Sequence, residues 1–307
     1  MFRSLRSITA ALGLALTLTA CSLAEDDPVA GVPAFTIDAP SVTLINPGDN
    51  PQEVRYSLDE QWDTTVAVSS GVNQAVAAPG EDIPTDAPAG GDVDKTTLSL
   101  TAQSTDAPAP ENGEEDAESR IDFVVGSGKH SDLDVGQDVA ASEGFHMSWR
   151  TEGTGRISSL KLLAPANTPE RGLQHVEPAL LALVNGAVIF PQEPIGPGAS
   201  WSVEQRVAGD ASTLQTTTYT LVSRDGDALT LDAAVVERPQ RTSVDLDGQT
   251  VNIESAETTS QGQLVVDLSH PLPVSGQVAA TTRLVYSGGD GKARVVQDTT
   301  RAVQYGV

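Results

Sequence analysis

One cysteine stands in 307 residues, and aromatic side chains make up only 4 % of the chain. A lone thiol excludes a disulfide-stapled scaffold and a cysteine-built metal cluster. Basic residues are scarce as well. Eighteen Lys and Arg face 42 Asp and Glu, a formal charge of −24. That balance argues against nucleic acid as a partner, because phosphate backbones are gripped by clustered Lys and Arg. No apolar run reaches the ~20 residues that a bilayer-spanning helix needs. Hydrophobic residues still make up 39 %, enough for a core built from Val, Leu and Ala in place of large rings. A chain of this length forms one large or two modest domains.

What is present begins with an address. Arg3 and Arg6 give residues 1–20 a positive start, and Ile8 to Leu18 follow as an apolar stretch too short to remain in a bilayer. The stretch ends in Leu18-Thr19-Ala20-Cys21. Small residues ahead of a cysteine at this place resemble the lipobox of bacterial lipoproteins. The resemblance implies that Cys21 receives a thioether-linked diacylglycerol and becomes the mature N-terminus. The protein is then exported and held on a membrane by lipid alone, facing outside the cytoplasm. Ordinary secretion with a chance cysteine is the competing reading; the lack of any other cysteine favours the lipobox. Cleavage would discard Arg3 and Arg6 and make the mature chain more acidic still. Between Cys21 and Arg120 lie twenty acidic and three basic residues, so the negative charge is concentrated in the N-terminal third.

Residues 21–34 lack periodicity and read as an acidic tether. From Phe35 to Val307 the pattern is that of a single β-rich domain. Short strand-like runs occupy Phe35–Ile45, Glu53–Leu58, Thr64–Val76, Thr96–Ala102 and Ile121–Val125. Two low-complexity acidic segments, 77–92 and 104–119, have little to bury and are expected to be mobile loops. Phe145–Arg150 and Arg156–Leu163 flank Glu152-Gly153-Thr154-Gly155 as a hairpin.

One helix is expected, with Thr168 as N-cap, Pro169 at the first position and Asn185-Gly186 as the stop. Leu173, Val176, Leu180, Leu181 and Val184 give it one apolar face, and Pro178 should kink or split it. Beyond Phe190 the chain is strand and turn, with turn signals that include Asp247-Gly248 and Gly288–Gly291. The expected fold is α+β, mostly β: a large curved antiparallel sheet, half-barrel-like, with one helix or a kinked helix pair packed on it.

The last 140 or so residues resemble a family of exported bacterial proteins of unknown function. The carrying residues are the helix, then Phe190-Pro191-Gln192-Glu193-Pro194-Ile195-Gly196-Pro197-Gly198-Ala199-Ser200-Trp201. Ser260-Gln261-Gly262-Gln263-Leu264 and Pro271-Leu272-Pro273-Val274-Ser275-Gly276 complete the set. The resemblance implies no activity or ligand. By element order alone, the chain is also similar to half-barrel lipid-carrying lipoproteins of bacterial envelopes, an analogy of fold.

Motifs that carry chemistry are few. Gly196, Gly198 and Trp201 are candidate ligand-binding residues at the lip of a cleft, though a tight turn and a core-anchoring Trp explain the same residues. Trp62 and Trp149 invite the same two readings. Ser243, Asp245, Asp247, Gly248 and Glu254 partly fit a calcium loop, but strands flank them and Ser replaces the first carboxylate, so an Asp-Gly hairpin explains them better. In VVGSGKHS (124–131), Phe123 stands where a phosphate-binding loop needs glycine before Gly128-Lys129. The histidines His130, His146, His175 and His270 lack metal-ligand spacing, and no Gly-x-Ser-x-Gly elbow exists.

No catalytic residue, metal or cofactor is therefore expected. The pattern favours a non-enzymatic binding module for an apolar ligand, tethered through Cys21. An envelope structural or protein-interaction role is the alternative, and a hydrolase with a dispersed triad is more remote. Partners are then the membrane, through Cys21, and a lipid or an envelope protein. Replacing Cys21 by Ala should release the protein from membranes in a fractionation assay; continued tight association would refute the anchor.

Overall fold

Strict alternation drives the architecture. Ala228–Pro239 (ALTLDAAVVERP) buries every second residue from Leu229 to Glu237, as a strand with one face on a core requires. The computed structural model describes residues 27–307 except 112, 247–248 and 288–292. Residues 1–26, with the signal reading and Cys21, lie outside the described residues, as do the turns at Asp247-Gly248 and 288–291.

Among the described residues fourteen strands make one open antiparallel sheet. They are β1 (Phe35–Thr36), β2 (Ser41–Asn46), β3 (Gln61–Ala77), β4 (Asp94–Asp106), β5 (Ser119–His130), β6 (His146–Thr151) and β7 (Ile157–Leu163), followed by β8 (Ser200–Val207), β9 (Asp210–Asp225), β10 (Ala228–Pro239), β11 (Ser243–Leu246), β12 (Gln249–Asp267), β13 (Ser275–Ser287) and β14 (Arg294–Tyr305). Their order in space is β1-β7-β6-β5-β4-β3-β14-β13-β12-β10-β9-β8-β2, with β11 paired to β12 beside this path.

The expected mostly-β curved sheet is what the chain forms. β1 and β2 lie at opposite ends of the order, yet only residues 37–40 join them. Four residues and their flanking bonds span at most ~18 Å, so the sheet must curl until its two ends nearly meet. They stay unpaired, and the result is a curled half-barrel.

Two helices lie on the inner face. α2 (Glu170–Asn185) buries Val176, Ala179, Leu180, Leu183 and Val184, and runs unbroken through Pro178. Thr168 does not cap it. Pro169 holds the N-cap position, and the Thr168 hydroxyl donates instead to the Ala141 carbonyl at 3.4 Å. α1 (Leu133–Ala140) has no counterpart among the expected elements. Asp132 caps it through the Asp134 amide, and Val135 and Val139 are its buried face. Gly172 lets the helices meet, since a Cβ there would stand 2.3 Å from the Asp138 carbonyl oxygen.

Several boundaries differ from those expected. Val251–Thr258 and Gln263–Leu268 fuse into β12, whereas Glu53–Leu58 joins no sheet. In that segment the Tyr56 amide donates to Gly153 and the Ser57 amide to Leu268, so it laces two parts of the barrel together. The tether is shorter than expected. Val29 is buried, and Arg120 makes a forked ion pair with Asp27 at 2.6 and 2.7 Å, which holds the Asp27 carboxyl below its ordinary pKa.

The two acidic segments, expected to be mobile for want of anything to bury, lie against the sheet. Residues 78–93 cross the outer face of β12, β13 and β14. Ala87 is buried there, its carbonyl accepts from Thr259 at 2.7 Å, and Arg283 donates to the Pro84 and Asp86 carbonyls. The segment after β4 brings Glu114 between Arg150 (3.3 Å) and Lys161 (3.1 Å), all three nearly buried. Charge pairing thus does what apolar burial could not.

Burial works against ionisation of Glu114, but the Glu111 amide and the Lys161 charge outweigh it and hold the carboxyl below its ordinary value. Its stabilising effect is therefore complete above the ordinary carboxylate range and is lost as pH falls through the lowered value. Glu114→Ala should cost about 2–3 kcal/mol at neutral pH in urea unfolding, because it takes from the nearly buried Arg150 its one carboxylate and leaves Lys161 with Glu111 alone.

Candidate functional site

The site is built around a short extended segment. Ala187, Val188, Ile189 and Phe190, directly after α2, run through the interior and are all buried. Each exposed carbonyl of such a strand needs a donor. Tyr305 of β14 donates to the Gly186 carbonyl at 3.3 Å, Tyr56 to Val188 at 3.0 Å, and the Trp201 indole to Ile189 at 2.8 Å. The glycine at 186 is the C-cap that stops α2, as expected, with φ −92°. It is required because a Cβ would meet the Tyr305 hydroxyl at 2.4 Å.

Ahead of this plug, α2 leaves part of the sheet uncovered, and a trough of about 540 Å³ opens between them. Its helix wall presents Leu173, Leu181 and Ala182, and its sheet floor Val68, Val207 and Val303. Asn185 closes one end by accepting from the Ala208 amide at 2.7 Å and donating back to its carbonyl at 3.3 Å. A smaller apolar cavity of about 90 Å³, lined by Val235, Val278, Ala280 and Tyr305, continues from it. Both reach Arg301.

Arg301 contacts both carboxylate oxygens of the almost fully buried Glu237, at 3.1 and 3.0 Å, and Asp210 at 3.4 Å. Thr282 donates to Glu237 at 2.9 Å. Burial opposes the charge on Asp210, but hydrogen bonds from Ser212 and Thr213, with Arg301 nearby, hold its carboxyl below the ordinary value. Past Arg301 a wider cavity of about 890 Å³ follows the same inner face. On β3, Val72 and Val76, in register with Thr299 and Val295, remain 62 % and 74 % exposed.

At the other end of the trough stand His130 and His175, ring centroids 4.5 Å apart. His130 Nδ1 accepts from the Asp132 amide at 3.1 Å, and its Nε2 is buried without a partner. Burial first, and the His130 charge second, lower the pKa of His175; Asp94 and Asp132 oppose them and Arg171 adds to them.

The sequence candidates fall elsewhere. Trp201 is 0 % exposed, stacked on Tyr219 at 5.4 Å and beside Phe190 at 5.8 Å. It anchors the core and walls no cleft. Gly196 and Gly198 seal the interlock of 47–52 with 195–199: a Cβ at Gly196 would meet the Asp49 carbonyl at 1.9 Å, and Gly198 has φ +82°. Trp62 and Trp149 are core residues as well, meeting Phe123 edge-on at 6.3 and 4.7 Å.

Ser243–Leu246 pairs with Gln249–Asn252 as a hairpin, and Gly128-Lys129 lies within β5. A Ser, a His and an acid do meet after β12, but the Ser269 hydroxyl bridges Asp267 (2.7 Å) and His270 Nδ1 (2.9 Å). The acid there orients the serine and leaves the imidazole without a carboxylate, unlike a catalytic triad. Among the described residues no three His, Cys, Asp or Glu are gathered as a metal site, and no helix is long and apolar enough to cross a membrane.

No sequence motif marks the trough, because its walls come from β3, β8, β14 and α2, which are widely spread along the chain.

These features define a class: a curled single-sheet protein whose helix covers only part of the inner face. No protein-family model matches the chain, and comparison with curated proteins finds no match.

Two outcomes follow. Trp201→Phe removes the indole donor and leaves a buried carbonyl unpaired, so it should lower stability by about 1–3 kcal/mol in chemical denaturation. Below the ordinary histidine pKa the unfolded chain takes up a proton that His175 resists, so stability should fall between pH 7 and 5. His175→Gln should flatten that fall in thermal melts.

Proposed function

We propose that the chain is an exported, lipid-anchored, non-enzymatic binding protein that takes an apolar ligand into the trough under α2. The observation that carries this reading is the trough itself. At about 540 Å³ it lies in the ordinary range for small-molecule sites, and aliphatic side chains face each other across it. The charged groups at its far end, Arg301, Glu237 and Asp210, are committed to one another, which suits a wall better than a reacting centre.

The lipobox reading of Cys21 supplies the anchor. Because Asp27 is docked on Arg120, the chain from Cys21 to Asp27 would place the domain within ~20 Å of the lipid surface. The strand end at Arg120 would then lie on the side toward the membrane.

The full chain carrying Cys21→Ala, recovered without detergent, should retain an apolar ligand in native mass spectrometry, or take up a fluorescent long-chain acyl probe. Ala182→Trp, which fills the trough from the helix side, should reduce that uptake roughly tenfold or more while thermal melting stays close to the parent. A parent protein that carries no ligand and takes up no probe would overturn the reading.

A further inference from the structure

The trough under α2 has two unlike ends, and the register of the sheet lays out the distance between them. Across β5, β4, β3, β14 and β13, the residues His130, Thr96, Val68, Val303 and Val278 pair in turn. Residues directly opposite one another share a face, so these five form one row across the inner side of the sheet. With strands spaced ~4.8 Å apart, the row is about 19 Å long. α2 runs beside it. At one end His175 meets His130 ring to ring; near the other, the Gly186 carbonyl meets Tyr305, two residues from Val303 on the same face of β14. The helix rises ~17 Å between His175 and Gly186, and the small cavity lined by Val278 and Ala280 continues from there.

The His130 end of the row has hydrogen-bonding capacity to spare. His130 Nδ1 accepts from the Asp132 amide, so the neutral ring carries its proton on Nε2. His130 is 9 % exposed, and that N–H is buried without an acceptor. The partly exposed His175 ring has no hydrogen-bond partner among the described residues. Burial first, then the His130 charge, lowers its pKa, so His175 is uncharged at neutral pH. Asp94 lies in phase with Thr96 on the same face of β4. It accepts from the Ser131 hydroxyl at 3.3 Å and, among the described residues, pairs with no cation. Arg171, the one basic residue that acts on His175, is already engaged by Asp138 and by the Asp134 carbonyl.

A ligand head at this end must accept from an imidazole N–H and lie beside a free carboxylate. A carboxylate or phosphate head would meet Asp94 as a like charge, with no free cation to offset it. An ammonium head would pair with Asp94 but leave the His130 N–H unsatisfied. A hydroxyl answers both, since it accepts from Nε2–H and donates to the carboxylate.

We propose that the ligand is a single-chain lipid with an uncharged, hydroxyl-bearing head, held between His130, His175 and Asp94, and a hydrocarbon tail laid past Val68 and Val303 to Val278. The oxygen that pairs with His130 enters as the partly exposed His175 ring turns aside. This rests on the trough being an apolar-ligand site, as argued above, and adds the chemistry of the head and the direction of the tail.

The test loads the full Cys21→Ala chain with the fluorescent long-chain acyl probe. The probe is then displaced by lipids of identical chain whose heads are a glycerol ester, a glucoside, a methyl ester, a free carboxylate and an ammonium. The better of the two hydroxylated lipids should act at about tenfold lower concentration than the last three, and it names glycerol or sugar as the source of the hydroxyls. His130→Asn keeps an acceptor for the Asp132 amide and removes the Nε2 donor, while Asp94→Ala removes an exposed carboxylate. Each should bring the hydroxylated lipid to within about twofold of the methyl ester, and Asp94→Ala should melt close to the parent. If His130→Asn does not fold, Asp94→Ala decides alone. A methyl ester, carboxylate or ammonium that displaces the probe as well as both hydroxylated lipids, or an unchanged preference in Asp94→Ala, would overturn the head assignment while leaving the trough reading intact. A parent chain that takes up no probe would overturn both.

Discussion

Three hydrogen bonds from aromatic side chains to one buried segment hold this molecule in shape. A chain threaded through an apolar interior carries carbonyl groups that water cannot reach, and each left unpaired costs about 1–3 kcal/mol. Tyr56, Trp201 and Tyr305 meet the carbonyls of Val188, Ile189 and Gly186 from three separate walls of the barrel. Burial raises the pKa of both tyrosines, which keeps their hydroxyls protonated as donors. In a chain with only 4 % aromatics, placing three of them here fixes β14, β8 and the 51–60 segment relative to α2. The Phe190 amide donates to the Thr154 carbonyl in the β6–β7 turn while Trp201 stands on β8, so strands near the two ends of the order reach the same short stretch of backbone and the sheet curls.

The trough follows from the same arrangement. α2 is tied by its C-terminal end, through Gly186 and Asn185, to β14 and to the chain after β8. Its apolar stripe is narrower than the inner face, so aliphatic residues of β3 and β14 remain beside it. Where the helix ends, the sheet continues without a second layer. The buried Glu237 and its partner Arg301 mark that transition; Thr282 donates to the carboxylate, and Thr258 accepts from the Glu237 backbone amide. Packing on one side and charge on the other thus meet at a single side chain.

Period-two alternation in β10 and β13, and the helical spacing of Val176, Leu180 and Val184, are local signals that the sequence displays by itself. The bonds made by distant partners leave no such trace. Val29, Ala87 and Glu114 look like members of solvated acidic stretches; each is buried only because a residue far along the chain covers or neutralises it. The apolar face of α1 is just Val135 and Val139, too short a pattern to stand out. Trp201 is conspicuous as a large ring in a Gly-Pro connector, and that same local context does not reveal the Ile189 carbonyl waiting for it.

The pairing of β3 with β14 has a kinetic consequence. This seam lies in the middle of the sheet and joins residues as far apart as Val66 and Tyr305, separated by 239 positions. Neither flank can acquire its neighbour across the seam until the last strand exists. Closing so long a loop comes early in entropy and late in reward, which makes such topologies slow to form. A chain stalled or clipped before β14 would hold two sheet fragments with unpaired edges, the species most prone to stick to one another.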